Sequence, residues 1–220
     1  MKKMTEIYDY LVDFTEKTDI ISYDFYEKYL GSNVFREKFE SRLAYIKQKY
    51  SLDMTEDEMI KEYFVEIFSW SVLNRSTLLE LVKFVRERNI RYMIDPCCGN
   101  GFHNFLFENY SSMDILTADI QDEPCCWTPM KEIDGRDFIE GMNDKHHEEG
   151  ALILSWINGE DLALQLLNRF RGNMIISIGN YVFESNYIRS LNYDFNLNMR
   201  IVLKMPWGLE EKIEIYTKKY

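Results

Sequence analysis

Ten residues near the middle of the chain, Ile94-Asp95-Pro96-Cys97-Cys98-Gly99-Asn100-Gly101-Phe102-His103, restrict its folding more than any other stretch. The apolar lead-in, Arg91-Tyr92-Met93-Ile94, reads as a buried strand. An acid follows, then a turn of small residues, then an apolar helical pattern. Glycine tolerates positive φ and lets a ligand approach the backbone. A helix that starts there aims unpaired N–H groups at the same point. That is the layout of a nucleotide-cofactor loop. Asp119 lies 24 residues after Asp95, behind a second apolar run, Ile115-Leu116-Thr117-Ala118. The spacing predicts a strand–helix–strand unit whose second strand ends in a carboxylate suited to ribose hydroxyls. The dinucleotide fingerprint G-x-G-x-x-G is incomplete, because Asn104 stands at the third glycine position. A tight turn in an ordinary α/β domain would carry the same glycines.

Around this loop the chain changes rhythm. Residues 1–60 read as helical, with Ile7, Tyr10, Leu11 and Phe14, then Phe35, Phe39, Leu43 and Ile46, at helical spacing. A helix beginning near Asn74 or Ser76 carries Leu78, Leu81, Val82 and Val85 and ends at Arg88-Asn89. From about residue 90 strands and helices alternate. Strands are expected at 91–95, 114–118, 130–133, 151–156, 173–178, 197–204 and 211–217. Leu152-Ile153-Leu154 and Met174-Ile175-Ile176 are continuous apolar runs, as in strands covered on both faces. The last two strands are joined by the turn-like Met205-Pro206-Trp207-Gly208-Leu209, so they should pair antiparallel. Residues 143–150, acidic and containing His146 and His147, read as a surface loop.

Composition narrows the function classes. The 220 residues carry a formal net charge of −11 and are 46% hydrophobic. Such a balance argues against disorder and disfavours direct binding to phosphate backbones. No apolar run is long enough to span a bilayer and no signal-type core follows Met1, so a cytoplasmic, intracellular, soluble protein is expected. The cysteines form two adjacent pairs, Cys97-Cys98 and Cys125-Cys126. Structural zinc ligands are usually spaced two to four residues apart, so no metal is expected and the thiols should be free.

The segment Asp95-Pro96-Cys97-Cys98-Gly99-Asn100-Gly101 resembles the first motif of class I S-adenosylmethionine-dependent methyltransferases, with Cys97 in place of the first glycine. Trp70-Ser71-Val72-Leu73-Asn74 resembles the entry segment of one subgroup, and Lys204-Met205-Pro206-Trp207 its closing turn. The resemblance covers residues 70 to 220. It implies an α/β, Rossmann-like sheet of seven mostly parallel strands with an antiparallel C-terminal hairpin, at 73–220. The helical region at 1–72 would act as a lid or interaction element. It implies S-adenosylmethionine as cofactor. Asp95 would orient the loop and the methionine ammonium, with Cys97, Gly99 and Gly101 lining the methionine side. Asp119 would take the ribose hydroxyls. Asp134, or alternatively Asp137, would lie near the adenine amino group. Asp119 and Asp134 could equally be helix caps or turn residues.

At the acceptor end the chain departs from the family. Relatives that methylate amino groups carry N/D/S-P-P-aromatic after the fourth strand, whereas this chain has Ser155-Trp156-Ile157-Asn158. Ser155 and Asn158 can still hydrogen-bond an acceptor, and Trp156 can stack on it. His103, in the first turn after the loop, reads as a surface or packing residue, with catalytic work the sharper alternative. The function expected is methyl transfer to a small-molecule or protein acceptor. The alternative is a non-catalytic methyltransferase-like binding or assembly protein, with a partner engaged through the N-terminal helices.

Overall fold

The computed structural model describes residues 62, 65, 68–71, 73–120, 127–157, 159–179, 186–204 and 210–219. The expected helices within 1–60, Asn158, the pair Cys125-Cys126 and the turn at 205–209 lie outside the described residues.

Helix α1 (Arg75–Arg86) starts where Asn74 accepts a hydrogen bond from the Thr77 N–H at 2.8 Å. The turn that follows ends at Asn89, whose φ of 59° is a left-handed conformation that asparagine tolerates. β1 (Tyr92–Asp95) leads into α2 (Phe102–Tyr110). β2 (Asp114–Asp119), β3 (Lys131–Glu132), α3 (Gly135–Glu140), α4 (Asp144–Glu148) and β4 (Gly150–Ser155) follow. α5 (Glu160–Arg169), β5 (Met174–Gly179), α6 (Asn186–Asp194), β6 (Phe195–Lys204) and β7 (Glu210–Lys218) complete the order. The seven strands lie in the order β3-β2-β1-β4-β5-β7-β6. Strands β1 to β5 pair in parallel, and β7 runs antiparallel between β5 and β6.

Period-two alternation builds two cores on this sheet. Met93, Ala151, Ile153, Ile176 and Ile215 face α1 and α2, together with Leu78, Leu81, Phe102 and Leu106. Ile94, Leu152, Leu154, Ile175 and Tyr216 face the other way, against Phe138, Ile139, Leu166 and Leu167. Both faces are thus covered, as the continuous apolar runs require. Phe68 is 2% exposed and packs in the first core, against Phe102 of α2 and Trp127.

One expectation is corrected. Residues 143–150 are not a surface loop. Asn143 accepts a bond from the His146 N–H and caps α4, and Gly150 already begins β4. His147 is buried against Phe170, and its Nδ1 accepts the Arg171 N–H at 3.2 Å. Burial holds its pKa below the ordinary value, which keeps the ring neutral and able to accept that bond. Among the described residues no helix is long and apolar enough to cross a membrane.

Candidate functional site

Strand order reverses at β1. The chain steps outward from β1 to β2 and β3, then returns to place β4 on the other side of β1. Connections on opposite faces leave a crevice beyond the carboxyl ends of β1 and β4, where open α/β sheets bind ligands. A cleft of about 810 Å³ opens there, within the usual size range of small-molecule sites. Asp95 ends β1, Asp119 ends β2 and Ser155 ends β4, and all three line it.

Gly99 and Gly101 both have left-handed φ, 55° and 76°, yet they do different work. A Cβ on Gly99 would meet nothing within 4 Å, so this backbone faces open cleft. A Cβ on Gly101 would sit 3.3 Å from both Cβ and N of Thr128. Gly101 does not border the cleft; it starts α2 and lets the 127–128 segment close over the loop. Trp127 holds that closure by donating its N–H to the Asn100 carbonyl at 2.8 Å.

Asp119 Oδ2 accepts the Gly99 N–H at 2.8 Å, and Oδ1 accepts the Ile120 N–H at 2.7 Å. Each carboxylate oxygen keeps a second lone pair for a ligand hydroxyl. Ile120, which the sequence did not single out, lines the cleft beside Asp119 while 65% exposed. Asp95 is buried and accepts from the Cys97 N–H at 3.3 Å and from Asn104 Nδ2 at 2.8 Å. Burial raises its pKa to about 7, against the lowering effect of those two bonds. Asn104, at the third glycine position, thus anchors the acid that begins the loop.

Cys97 lines the cleft as a free thiol whose pKa burial pushes up to about 12, with Asp95 adding to the rise. The neutral thiol is a contact surface and not a nucleophile. Asp134 also borders the cleft, but its carboxylate is engaged. It caps α3 through the Arg136 N–H and binds Arg136 Nε, each at 2.8 Å. Those Arg136 bonds hold its pKa down at about 2. Asp137, the alternative, lies in the first turn of α3, exposed and away from the cleft lining.

Beyond the end of β4 the cleft wall is a polar network. Trp156 has φ of 49°, an unusual conformation for a bulky residue. Its N–H bonds the Ile178 carbonyl at 3.0 Å, and its ring lies 3.4 Å from the Cβ position of Gly179. Its indole N–H lies 2.7 Å from Ser71 Oγ and 3.3 Å from Glu211 Oε2. Ser71 donates its hydroxyl to Glu211. Both are buried, at 0% and 2% exposure. These bonds fix the segment after β4. His103 is buried in the same wall, with Nε2 2.9 Å from the Ser71 carbonyl and Nδ1 3.4 Å from Ser155 Oγ.

Ser71 and Glu211 were not among the expected site residues, and His103 was expected there only as the alternative to a surface or packing role. Glu211 left a trace: it shares strand parity with Ile213 and Ile215, so an acid stands where the pattern points inward. Because β7 runs antiparallel, its first residues arrive at the carboxyl edge of β5, where Gly179 pairs with Lys212.

Among solved structures, TrmN from Thermus thermophilus superposes with a TM-score of 0.52 at 13% identity, over 73% of this chain and 53% of that one. The shared fold is a Rossmann-like α/β sheet closed by an antiparallel hairpin. The chain spans about half the length of TrmN. Magnesium protoporphyrin IX methyltransferase from Synechocystis PCC 6803, solved with bound SAM, is 10% identical over 77% of this chain and 100% of that one, with a TM-score of 0.49. A methyltransferase from Geobacter sulfurreducens is 15% identical over 81% of this chain and 96% of that one, with a TM-score of 0.45. No family model and no curated protein sequence matches the chain.

Proposed function

We propose that the chain binds S-adenosylmethionine in this cleft and transfers its methyl group to an acceptor at the Ser155–Trp156 end. The supporting observation is the bare, left-handed backbone of Gly99 facing open cleft, with the Asp119 carboxylate on its N–H. Gly99 and Cys97 would hold the methionine side, with Asp95 accepting from its ammonium. Asp119 would take the ribose hydroxyls, and Ile120 offers apolar surface for the base. Asp134, held by Arg136, would border the adenine side, while Gly101 shapes the loop from behind. The cofactor supplies an electrophilic methyl group. The protein's part is to orient the two reactants and keep water out. The acceptor is a small molecule or a protein side chain; the net charge of −11 disfavours a bare nucleic acid.

Titration calorimetry with S-adenosylmethionine and S-adenosylhomocysteine tests this reading. Both should bind at one site, and Asp119→Ala should weaken binding by roughly tenfold or more, the usual cost of losing a charged hydrogen-bond partner. Binding of neither would leave a scaffold that keeps the fold without the chemistry.

A further inference from the structure

We infer that the acceptor is a weakly acidic O–H or N–H group, and that its proton leaves through the Ser155 hydroxyl to Nδ1 of His103. The inference rests on the methyl-transfer reading above and names the class of acceptor that reading leaves open. A backbone carbonyl only accepts hydrogen bonds, so the 2.9 Å contact with Ser71 O requires the proton on His103 Nε2. Nδ1 is then a bare lone pair, 3.4 Å from Ser155 Oγ. Ser155 lies half-buried at the end of β4 and lines the cleft, while His103 stands behind it in the same wall. Burial lowers the histidine pKa, against the opposing pull of the Ser71 carbonyl, so the ring is a neutral proton acceptor near pH 7. Two acids share this neighbourhood. Glu211 on β7 receives the Ser71 hydroxyl, and Asp95 on β1 receives the side-chain amide of Asn104, next to His103 in α2. The indoles of Trp156 and Trp70, tilted 35° to each other with centroids 5.4 Å apart, line the cleft with Ser155.

The proton and electron count closes. The acceptor heteroatom forms its bond to the methyl carbon, and the sulfur–carbon bond breaks with its electron pair on sulfur. The acceptor proton passes to Ser155 Oγ while the Ser155 proton passes to His103 Nδ1. The imidazolium then loses its proton to water. A free amine with an available lone pair would not need this relay; a hydroxyl or amide-type N–H does.

Two readouts on the full chain test it. Nitrogen-15 NMR of histidine-labelled protein, from roughly pH 5 to pH 9 to bracket imidazole titration, should show His103 neutral at pH 7 with the proton on Nε2. Ser155→Ala should move the Nδ1 resonance. Radiolabelled S-adenosylmethionine with a nuclease-treated cell extract, its protein and small-molecule fractions both counted, should show transfer that rises with pH through the His103 pKa. His103→Gln, whose amide can still donate to Ser71 O, should lower transfer by about a hundredfold, as loss of a general base does, and remove that rise. A charged ring at pH 7, a proton on Nδ1, transfer unaffected by His103→Gln, or a silent wild type each overturns the inference. Calorimetry on the same samples separates the failures. Absent S-adenosylmethionine binding sinks the methyl-transfer reading, whereas intact binding with a charged ring sinks the relay alone.

Discussion

Asp119 Oδ2 accepts the backbone N–H of Gly99 at 2.8 Å, and so ties the end of β2 to the loop that leaves β1. One carboxylate thereby sets the shape of the loop and borders the cleft. Asp119→Ala should therefore cost stability as well as affinity. Removal leaves the part-buried Gly99 N–H without its partner, a loss of about 1–3 kcal/mol. Urea unfolding measures it. A variant that loses only affinity would show that the loop holds its shape unaided.

The two loop glycines should fail differently. Gly99→Ala places a methyl in open space at φ 55°, so it costs about 1–2 kcal/mol of left-handed strain. The methyl would project where the methionine side of the cofactor should pass, and S-adenosylmethionine binding should drop steeply. Gly101→Ala pays the same strain and also crowds Thr128 at 3.3 Å. Thermal unfolding should rank Gly101→Ala as the less stable, while calorimetry should rank Gly99→Ala as the weaker binder once both are folded.

Asp95 makes stability fall as pH rises. Its folded pKa of about 7 lies above the ordinary carboxyl value of 3.8. The folded state therefore prefers the protonated acid. Its contribution is full below pH 3.8 and is lost as pH climbs through about 7. Asp95→Asn should flatten the unfolding free energy across that window in urea titrations. A ligand ammonium favours the ionised acid, so S-adenosylmethionine binding near pH 6 should release a proton, visible as a buffer-dependent calorimetric heat.

Much of this was legible in the sequence, for physical reasons that can be named. The strand–turn–helix at 92–110 was legible because β1 is apolar, the turn is glycine-rich and α2 is periodic. The antiparallel β6–β7 pair followed from a connection too short for a crossover. Helix α4 was missed because its five residues carry no apolar stripe; its stability comes from the Asn143 cap and one buried histidine. The Ser71–Trp156–Glu211 bonds join residues up to 140 positions apart, which no local period reports. His103 was ambiguous for the same reason: its role depends on a carbonyl 32 residues earlier.

Trp156 tests how the segment after β4 is held. Trp156→Phe keeps a ring beside Gly179 but removes the N–H that reaches Ser71 Oγ at 2.7 Å. The expected loss is about 1 kcal/mol, read by chemical unfolding. Glu211→Gln should cost more than Trp156→Phe, because Glu211 accepts from both Ser71 and Trp156 inside the protein. Equal or smaller loss would mean that the Trp156 conformation is set by β4 and β5 alone.

The antiparallel course of β7 has a consequence for the order in which the molecule is completed. A ribosome delivers residues 92–135, which carry the loop, Asp119 and Asp134, well before residue 211. The residues that would grip a nucleoside are thus made well before the strand that backs the proposed proton relay. The rear wall of the crevice is therefore the last part of it to leave the ribosome.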